Sequence, residues 1–434
     1  MSASSKKGYR ENSVGWLPND WVATTIGNEV ASIVGGGTPS KDVTEYWGGD
    51  IPWASVKDFS GARLSKTQDF ITQEAIKASA TNLIPAGTLI TPTRMALGRV
   101  AIFDCNVAIN QDLKAIFPKP TLLRDFLFYW FQGNAGRIEA AGTGSTVKGI
   151  RLEVLREFSL ALPPLLEQQK IAAILTAVDD KLDVIARQIE AALTLKLGLK
   201  QTLFTQGVGT PNPCGEWVPH TEFKSISSQS VPALWSPRRL GDVAPLIRRP
   251  VEIDPNAMYP ELGLRSYGKG TFHKPALLGA EVGNKRLFQI RAGDLLFSNV
   301  FAWEGAVAVA RPEDDGRYGS HRYITCAVDA TQADTDFLFR YLTTPAGIAS
   351  LTLASPGGAG RNKTLGLGAL ADIVVPLPPL NEQRKISQIL DGVDAKLNSL
   401  DSKRAACEAL KRGLMQKLLT GEWRVSVGRS VAGT

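Results

Sequence analysis

The run Pro163-Pro164-Leu165-Leu166-Glu167-Gln168-Gln169-Lys170-Ile171 opens a stretch without further proline that reaches Thr205. A second run, Pro378-Pro379-Leu380-Asn381-Glu382-Gln383-Arg384-Lys385-Ile386, opens another that reaches Thr420. The two stretches align without a gap over about forty residues, with roughly half their positions identical, which is an internal duplication.

Each copy is expected to form one helix, because apolar residues recur at alternating steps of four and three. The first series is Ile171, Leu175, Val178, Leu182, Ile185, Ile189, Ala192, Lys196, Leu199, Leu203. The second is Ile386, Leu390, Val393, Leu397, Leu400, Arg404, Cys407, Lys411, Leu414, Leu418. Such stepping is a coiled-coil seam. Lys196 and Lys411 interrupt both seams at the same late position, where a lysine can lay its stem on the apolar stripe and keep its ammonium in water. At about 1.5 Å per residue each helix would run on the order of 60 Å, a rod suited to holding two things apart. A stacked helical array fits less well, since arrays use three or more short units.

The segment before each helix reads as a mixed α/β domain. In the first, strands are expected at Thr24–Val34, Ile51–Val56, Thr88–Thr91, Val100–Phe103 and Leu113–Phe117, with helices at Gln73–Ala80 and Arg124–Gln132. The second repeats this plan faintly: Ile26-Gly27 is echoed by Leu240-Gly241, Ala86-Gly87 by Ala292-Gly293, Asp125-Phe126-Leu127 by Asp336-Phe337-Leu338, and Ala135-Gly136 by Ala346-Gly347. The whole chain is therefore doubled. Heads that had to contact one target would be expected to stay alike, so these two are expected to see different targets.

The expected fold class is α/β (α+β): two mixed α/β domains joined by two long antiparallel coiled-coil helices in a pseudo-two-fold internal repeat. The expected parts are a first head over 1–162, a helix over 163–207, a second head over 208–377, a helix over 378–422 and a tail over 423–434. A Gly- and Pro-rich linker spans Gln206–Trp217, and the polar tail from Arg424 is expected to fray.

Composition narrows the class. The 434 residues are 44% hydrophobic and 21% charged, an ordinary globular balance, and a net charge of +7 permits a nucleic-acid partner without demanding one. The excess is largest in residues 378–434, with 10 basic and 6 acidic side chains. Cys105, Cys214, Cys326 and Cys407 form no CxxC pair, so no zinc site or disulfide framework is suggested. No apolar run approaches a membrane span, and Met1–Ser13 lacks a signal-peptide core, so a cytoplasmic location is expected.

Catalytic signatures are missing. The three histidines, His220, His273 and His321, supply no HExxH and no plausible triad. Gly263-Leu264-Arg265-Ser266-Tyr267-Gly268-Lys269 resembles a phosphate loop, but Gly270 stands where a Ser or Thr hydroxyl would hold magnesium. The Asn/Asp-Pro-Pro-aromatic motif of DNA amino-methyltransferases is absent, since Leu precedes each Pro-Pro pair.

The Leu-Pro-Pro-Leu-x-Glu-Gln-x-Lys-Ile opening, present twice after variable domains, resembles the specificity subunits of Type I restriction–modification systems. The first head adds Gly36-Gly37-Thr38-Pro39-Ser40, Ile51-Pro52-Trp53, Ala86-Gly87-Thr88-Leu89-Ile90 and Gly142–Ile150; the second adds Ala292–Ser298 and Phe301–Val307. The second head departs from this pattern at Ser355–Lys363. The resemblance implies that each head reads one half of a split site on double-stranded DNA, and that two modification subunits and two restriction subunits dock on the helices. It implies that S-adenosylmethionine, ATP and Mg2+ act on those partners, with no cofactor, metal or catalytic residue on this chain and no membrane partner. An antiparallel pair with a head at each end would suit half-sites about one DNA turn apart.

Candidate DNA contacts are side chains able to reach base edges or phosphates. In the first head these are Lys41, Arg94, Arg99, Asn110, Gln111 and Lys148. In the second they are Arg265, Lys269, Asn299, His321, Arg322, Arg361 and Lys363. Asn110-Gln111 and His321-Arg322 fall 211 residues apart, each just before a strand, which suggests a shared readout loop. Trp303, in an apolar run, is expected in the core. The competing classes are a two-headed adaptor that binds proteins, against which the basic charge weighs, and a self-sufficient nuclease or methyltransferase, which lacks every motif it needs.

Overall fold

Two helices of 39 residues, Leu165–Leu203 and Leu380–Leu418, carry the rest of the chain. The computed structural model describes residues 8–12, 15–227, 229–357 and 363–426. Both helices start where the duplicated motif places them: Pro164 and Pro379 accept the first helical N–H groups, from Glu167 and Gln168 and from Glu382 and Gln383. Gly207 and Gly421, both at positive φ (69° and 71°), follow the two ends in the left-handed conformation that suits a helix exit.

The chain divides into two compact units, Met1–Arg187 with Ser402–Thr434, and Gln188–Asp401, so the division passes through both long helices. In the first unit the two helix segments run antiparallel: Asp179 meets Lys411 at 2.6 Å, while further toward the start of the first helix Glu167 meets Arg424 at 2.9 Å. Ile171, Leu175 and Ile185 are buried on the seam, Val178 and Leu182 half-buried. In the second unit Lys196 meets Asp394 at 2.6 Å, and Ile386, Leu390, Leu397 and Leu400 are buried with Val393 half-buried. Burying each such aliphatic side chain contributes about 1.5–3 kcal/mol. The seam lapses at Arg404, which is exposed.

Both lysines that interrupt the seams are ion-paired; Lys196 stays 35% exposed, as expected of an ammonium held in water, whereas Lys411 is only 17% exposed. Lys411 also donates to Gln132 at 2.7 Å and lies 5.5 Å from the Tyr129 ring centroid. Carboxylates on the facing helix supply what solvent would have.

The first head contains a five-stranded sheet, in the order Val30–Gly35, Leu113–Pro118, Leu89–Pro92, Ala101–Phe103, Arg63–Leu64. Beside it is a four-stranded mixed sheet, in the order Asp69–Ile71, Trp47–Ala54, Val107–Ile109, Asn82–Ile84. The expected strand Thr24–Val34 is broken by a helical turn at Ile26–Glu29, capped by the Thr25 hydroxyl. The second head repeats the mixed sheet as Thr271–Leu278, Met258–Leu264, Tyr318–Ser320, Leu287–Gln289, with the same parallel pairing at its centre, and adds Pro250–Val251 at the edge. The near-match to a phosphate loop is the turn of the antiparallel hairpin Met258–Leu264 with Thr271–Leu278. Among the described residues no helix is long and apolar enough to cross a membrane.

Candidate nucleic-acid interface

Each head is clamped to its helix by the Glu-Gln pair of the duplicated motif. Glu167 is fully buried and accepts hydrogen bonds from Trp21 Nε1 at 2.9 Å and from Arg424 at 2.9 Å. Glu382 accepts from Trp235 Nε1 at 3.1 Å and from the backbone N–H groups of Val208 and Gly209, with His220 Nε2 at 2.9 Å. Burying a carboxyl group without such partners would be costly. Gln168 accepts from Leu123 N and donates to the carbonyls of Thr121 and Pro163; Gln383 accepts from Asp334 N and donates to Gln332 and Pro378. Trp21 and Trp235, 214 residues apart, were not singled out from sequence, although a tryptophan repeated at the offset of the duplication was the available signal. Arg424 also pairs with Asp20 at 2.6 Å, so this part of the tail is tied down rather than frayed. Residues 427–434 lie outside the described residues.

At the loops the heads share one backbone junction. In the first head Thr93 N donates to Asp112 O at 2.7 Å and Ile150 N to Thr93 O at 2.9 Å; in the second Asn299 N donates to Arg322 O at 2.7 Å and Leu365 N to Asn299 O at 2.8 Å. Asp112 N bonds Asn110 Oδ1 just as Arg322 N bonds Ser320 Oγ. The equivalent pairs are therefore Asn110 with Ser320, Gln111 with His321 and Asp112 with Arg322. The 211-residue frame expected from sequence is off by one; the structural frame is 210.

The junction gathers several candidates. In the first head Gln111 is exposed and accepts from Thr38 Oγ1 at 2.5 Å, which joins the junction loop to the glycine loop carrying exposed Lys41. That glycine loop is fixed: Gly37 O accepts from Trp53 Nε1 and Thr81 Oγ1, and a Cβ on Gly36 would lie 1.8 Å from Ile109 O. Exposed Arg94 is bridged to Gly149 through the backbone and lies 3.5 Å from Asp112; Lys148, also exposed, accepts from Met95 N through its carbonyl. Lys114 donates to Gln111 O at 2.6 Å, and its partial burial lowers its pKa while Asp112 opposes the shift.

In the second head His321 and Arg322 are exposed, and Asn299 is half-buried at the junction. Lys363 stands 4.7 Å from the Trp303 ring centroid. Trp303 is half-buried and lies outside the core clusters, so the expectation of a core residue does not hold; its Nε1 donates to Val300 O and its face is taken by a cation. Exposed Lys269 and Arg265 sit on the hairpin turn, Lys269 above Tyr267, and Arg265 bonded to Thr271 O and over Phe272.

Three candidates stand apart. Asn110 is only 6% exposed and spends its carbonyl oxygen on its own loop, so it shapes that loop rather than presenting an amide to solvent. Arg99 is tied to Phe59 O at 2.7 Å, on the far arm of its loop. Arg361 lies outside the described residues.

Two homologous heads, each clamped to a long helix by the same buried pair and each exposing a different sequence on one shared loop junction, define a duplicated two-head scaffold. The chain belongs to the family of the Type I restriction modification DNA specificity domain, which it matches over residues 18–195 and again over 232–406. It is 30% identical over 240 residues to the Type I restriction enzyme MjaIX specificity subunit of Methanocaldococcus jannaschii, covering 54% of each chain. It is 33% identical over 200 residues to the EcoR124I/EcoR124II specificity subunit of Escherichia coli, covering 44% of this chain and 48% of that one. The chain thus matches about half the length of these relatives. The putative MjaX specificity subunit of the same archaeon is 24% identical over 97% of both chains. In fold, the chain is similar to the crystal structure of the Type I S subunit from M. genitalium, with a TM-score of 0.56 at 16% identity over 92% of this chain and 96% of that one.

Proposed function

We propose that this chain is the DNA sequence-specificity subunit of a Type I restriction–modification complex, reading a bipartite asymmetric site with two different heads. The observation that carries this reading is the shared loop junction with exchanged side chains. Gln111 in one head stands where His321 stands in the other, both exposed, so one head presents an amide and the other an imidazole, and exposed Arg322 takes the place of the buried, ion-paired Asp112. Side chains of such different hydrogen-bonding chemistry select different base edges.

On this reading the chain is not itself an enzyme. The heads are residues 1–162 and 208–377, the helices 163–207 and 378–422 are the frame for two modification and two restriction subunits, and 423–434 is the tail. S-adenosylmethionine, ATP and Mg2+ act on those partners, in the cytoplasm. Methylation-sensitive sequencing of a host carrying the chain with its modification partner tests the reading. A split methylated motif that vanishes on deletion of this chain is expected; methylation unchanged by the deletion would refute it.

A further inference from the structure

We propose that Met95 in the first head and Phe301 in the second are wedges that enter the base stack of the bound duplex. The inference rests on the DNA reading above and assigns it two contacts that are neither cationic nor hydrogen-bonding. The loops correspond: each leaves the strand at the shared junction, after Thr93 or Asn299, and returns through a glycine at positive φ, Gly98 at 78° or Gly305 at 74°. Each holds out one large apolar side chain, Met95 at 58% exposure and Phe301 at 41%.

A lone exposed apolar residue is unremarkable. Recurrence on one loop of two otherwise divergent heads, among the cations Arg94 and Lys148 or Arg322 and Lys363, asks for a cause. Met95 also has φ 66°, a region L residues avoid, and among the described residues only Ser227 and Tyr267 share that feature without being glycine. Its backbone is held there by the bond from Met95 N to Lys148 O at 2.9 Å. Phe301 is held by its N–H on Ser298 Oγ at 3.3 Å and by its carbonyl, which accepts from Glu304 N and Ala306 N. Tyr267, exposed and also at positive φ, donates its N–H to Glu304 O at 2.8 Å, which ties the hairpin turn to the loop that carries Phe301. Met and Phe are among the side chains that proteins insert between base steps, where they replace a stacking face with an apolar one.

The test uses the full chain in complex with its modification partner and duplexes bearing the motif found by sequencing, with 2-aminopurine placed at successive steps of each half-site. Wild-type complex should raise the probe's fluorescence at one step per half. Met95→Ala should abolish the rise in one half and Phe301→Ala in the other, with affinity falling roughly tenfold per substitution. Met95→Leu should retain both signals. If the wild type binds the motif specifically but the alanine variants keep wild-type fluorescence and affinity, the wedge is wrong and the specificity reading survives. Loss of complex assembly in the alanine variants, without a change in the probe signal of what assembles, would overturn it in favour of a protein contact. A wild-type complex that binds scrambled duplex equally well sinks both.

Discussion

Lys411 reaches across to Asp179 at 2.6 Å, and Lys196 reaches Asp394 at the same distance, so one ion pair of the duplicated helices is made twice with the chain order reversed. The first pair is the better shielded, with the Lys411 side chain 17% exposed and flanked by Gln132 and the Tyr129 ring. Lys411→Ala should destabilise the first unit by about 1–3 kcal/mol, because it strands a carboxylate in a partly dry site. A double-mutant cycle with Asp179→Ala, read by denaturant unfolding, should return a coupling of at least about 0.5 kcal/mol; additive effects would show the pair to be incidental.

Glu167 is held by Trp21 and by Arg424. Glu167→Ala should lower stability by about 3 kcal/mol or more, since Trp21 Nε1 and Val425 N lose their acceptor and Arg424 keeps Asp20 alone as counter-charge. Trp21→Phe, which removes one hydrogen bond, should cost about 1–3 kcal/mol. Thermal unfolding of the two variants ranks them, and the reverse order would contradict the clamp described above.

Gln111 and Lys148 differ in role if one meets base edges and the other phosphates. Gln111→Ala should weaken specific binding by about 1–3 kcal/mol and relax the preference at one half-site alone, with His321→Ala acting on the other half. Lys148→Ala should weaken all duplexes alike and lower the salt slope of binding by about 0.9. Titrations of motif and scrambled duplexes at several salt concentrations separate the two.

Lys200 donates to Thr343 O at 2.7 Å and Oγ1 at 2.9 Å in the second unit. Burial, with Lys196 and Arg340 adding to it and Asp394 opposing, lowers its pKa from 10.5 to about 8. Between those values the unfolded chain binds more protons than the folded one, so this position gains stability as pH rises through the window and carries its full cost below about 8. The stability of wild type relative to Lys200→Met should therefore climb from pH 8 to pH 10.5. A flat difference across that range would contradict the assignment.

Much of the frame was legible because helix periodicity and duplication are local properties of a string. Ile171 to Leu203 announces a seam by its spacing alone, and Pro163-Pro164 announces where the helix starts. The roles of Glu167 and Gln168 were not legible, since their partners lie far along the chain at Trp21, Thr121, Leu123 and Arg424. The candidate readout loop is legible from its place before a strand, but the sequence alone puts its frame one residue off. Asn110 and Ser320 correspond through a hydrogen bond to a backbone N–H, which an amide and a hydroxyl make equally well. The counter-charges of Lys196 and Lys411, Asp394 and Asp179, are not legible in the sequence, since they sit on the opposite helix and appear only when the pairing is known.

Gln168 and Gln383 grip their heads by main-chain carbonyls and N–H groups, which every residue type but proline offers in full. A mount of that kind asks for few particular side chains, chiefly the Trp21 or Trp235 indole that meets the glutamate beside it. A homologous head that keeps this tryptophan could carry an unrelated surface on the same seat, while the stem stays unaltered.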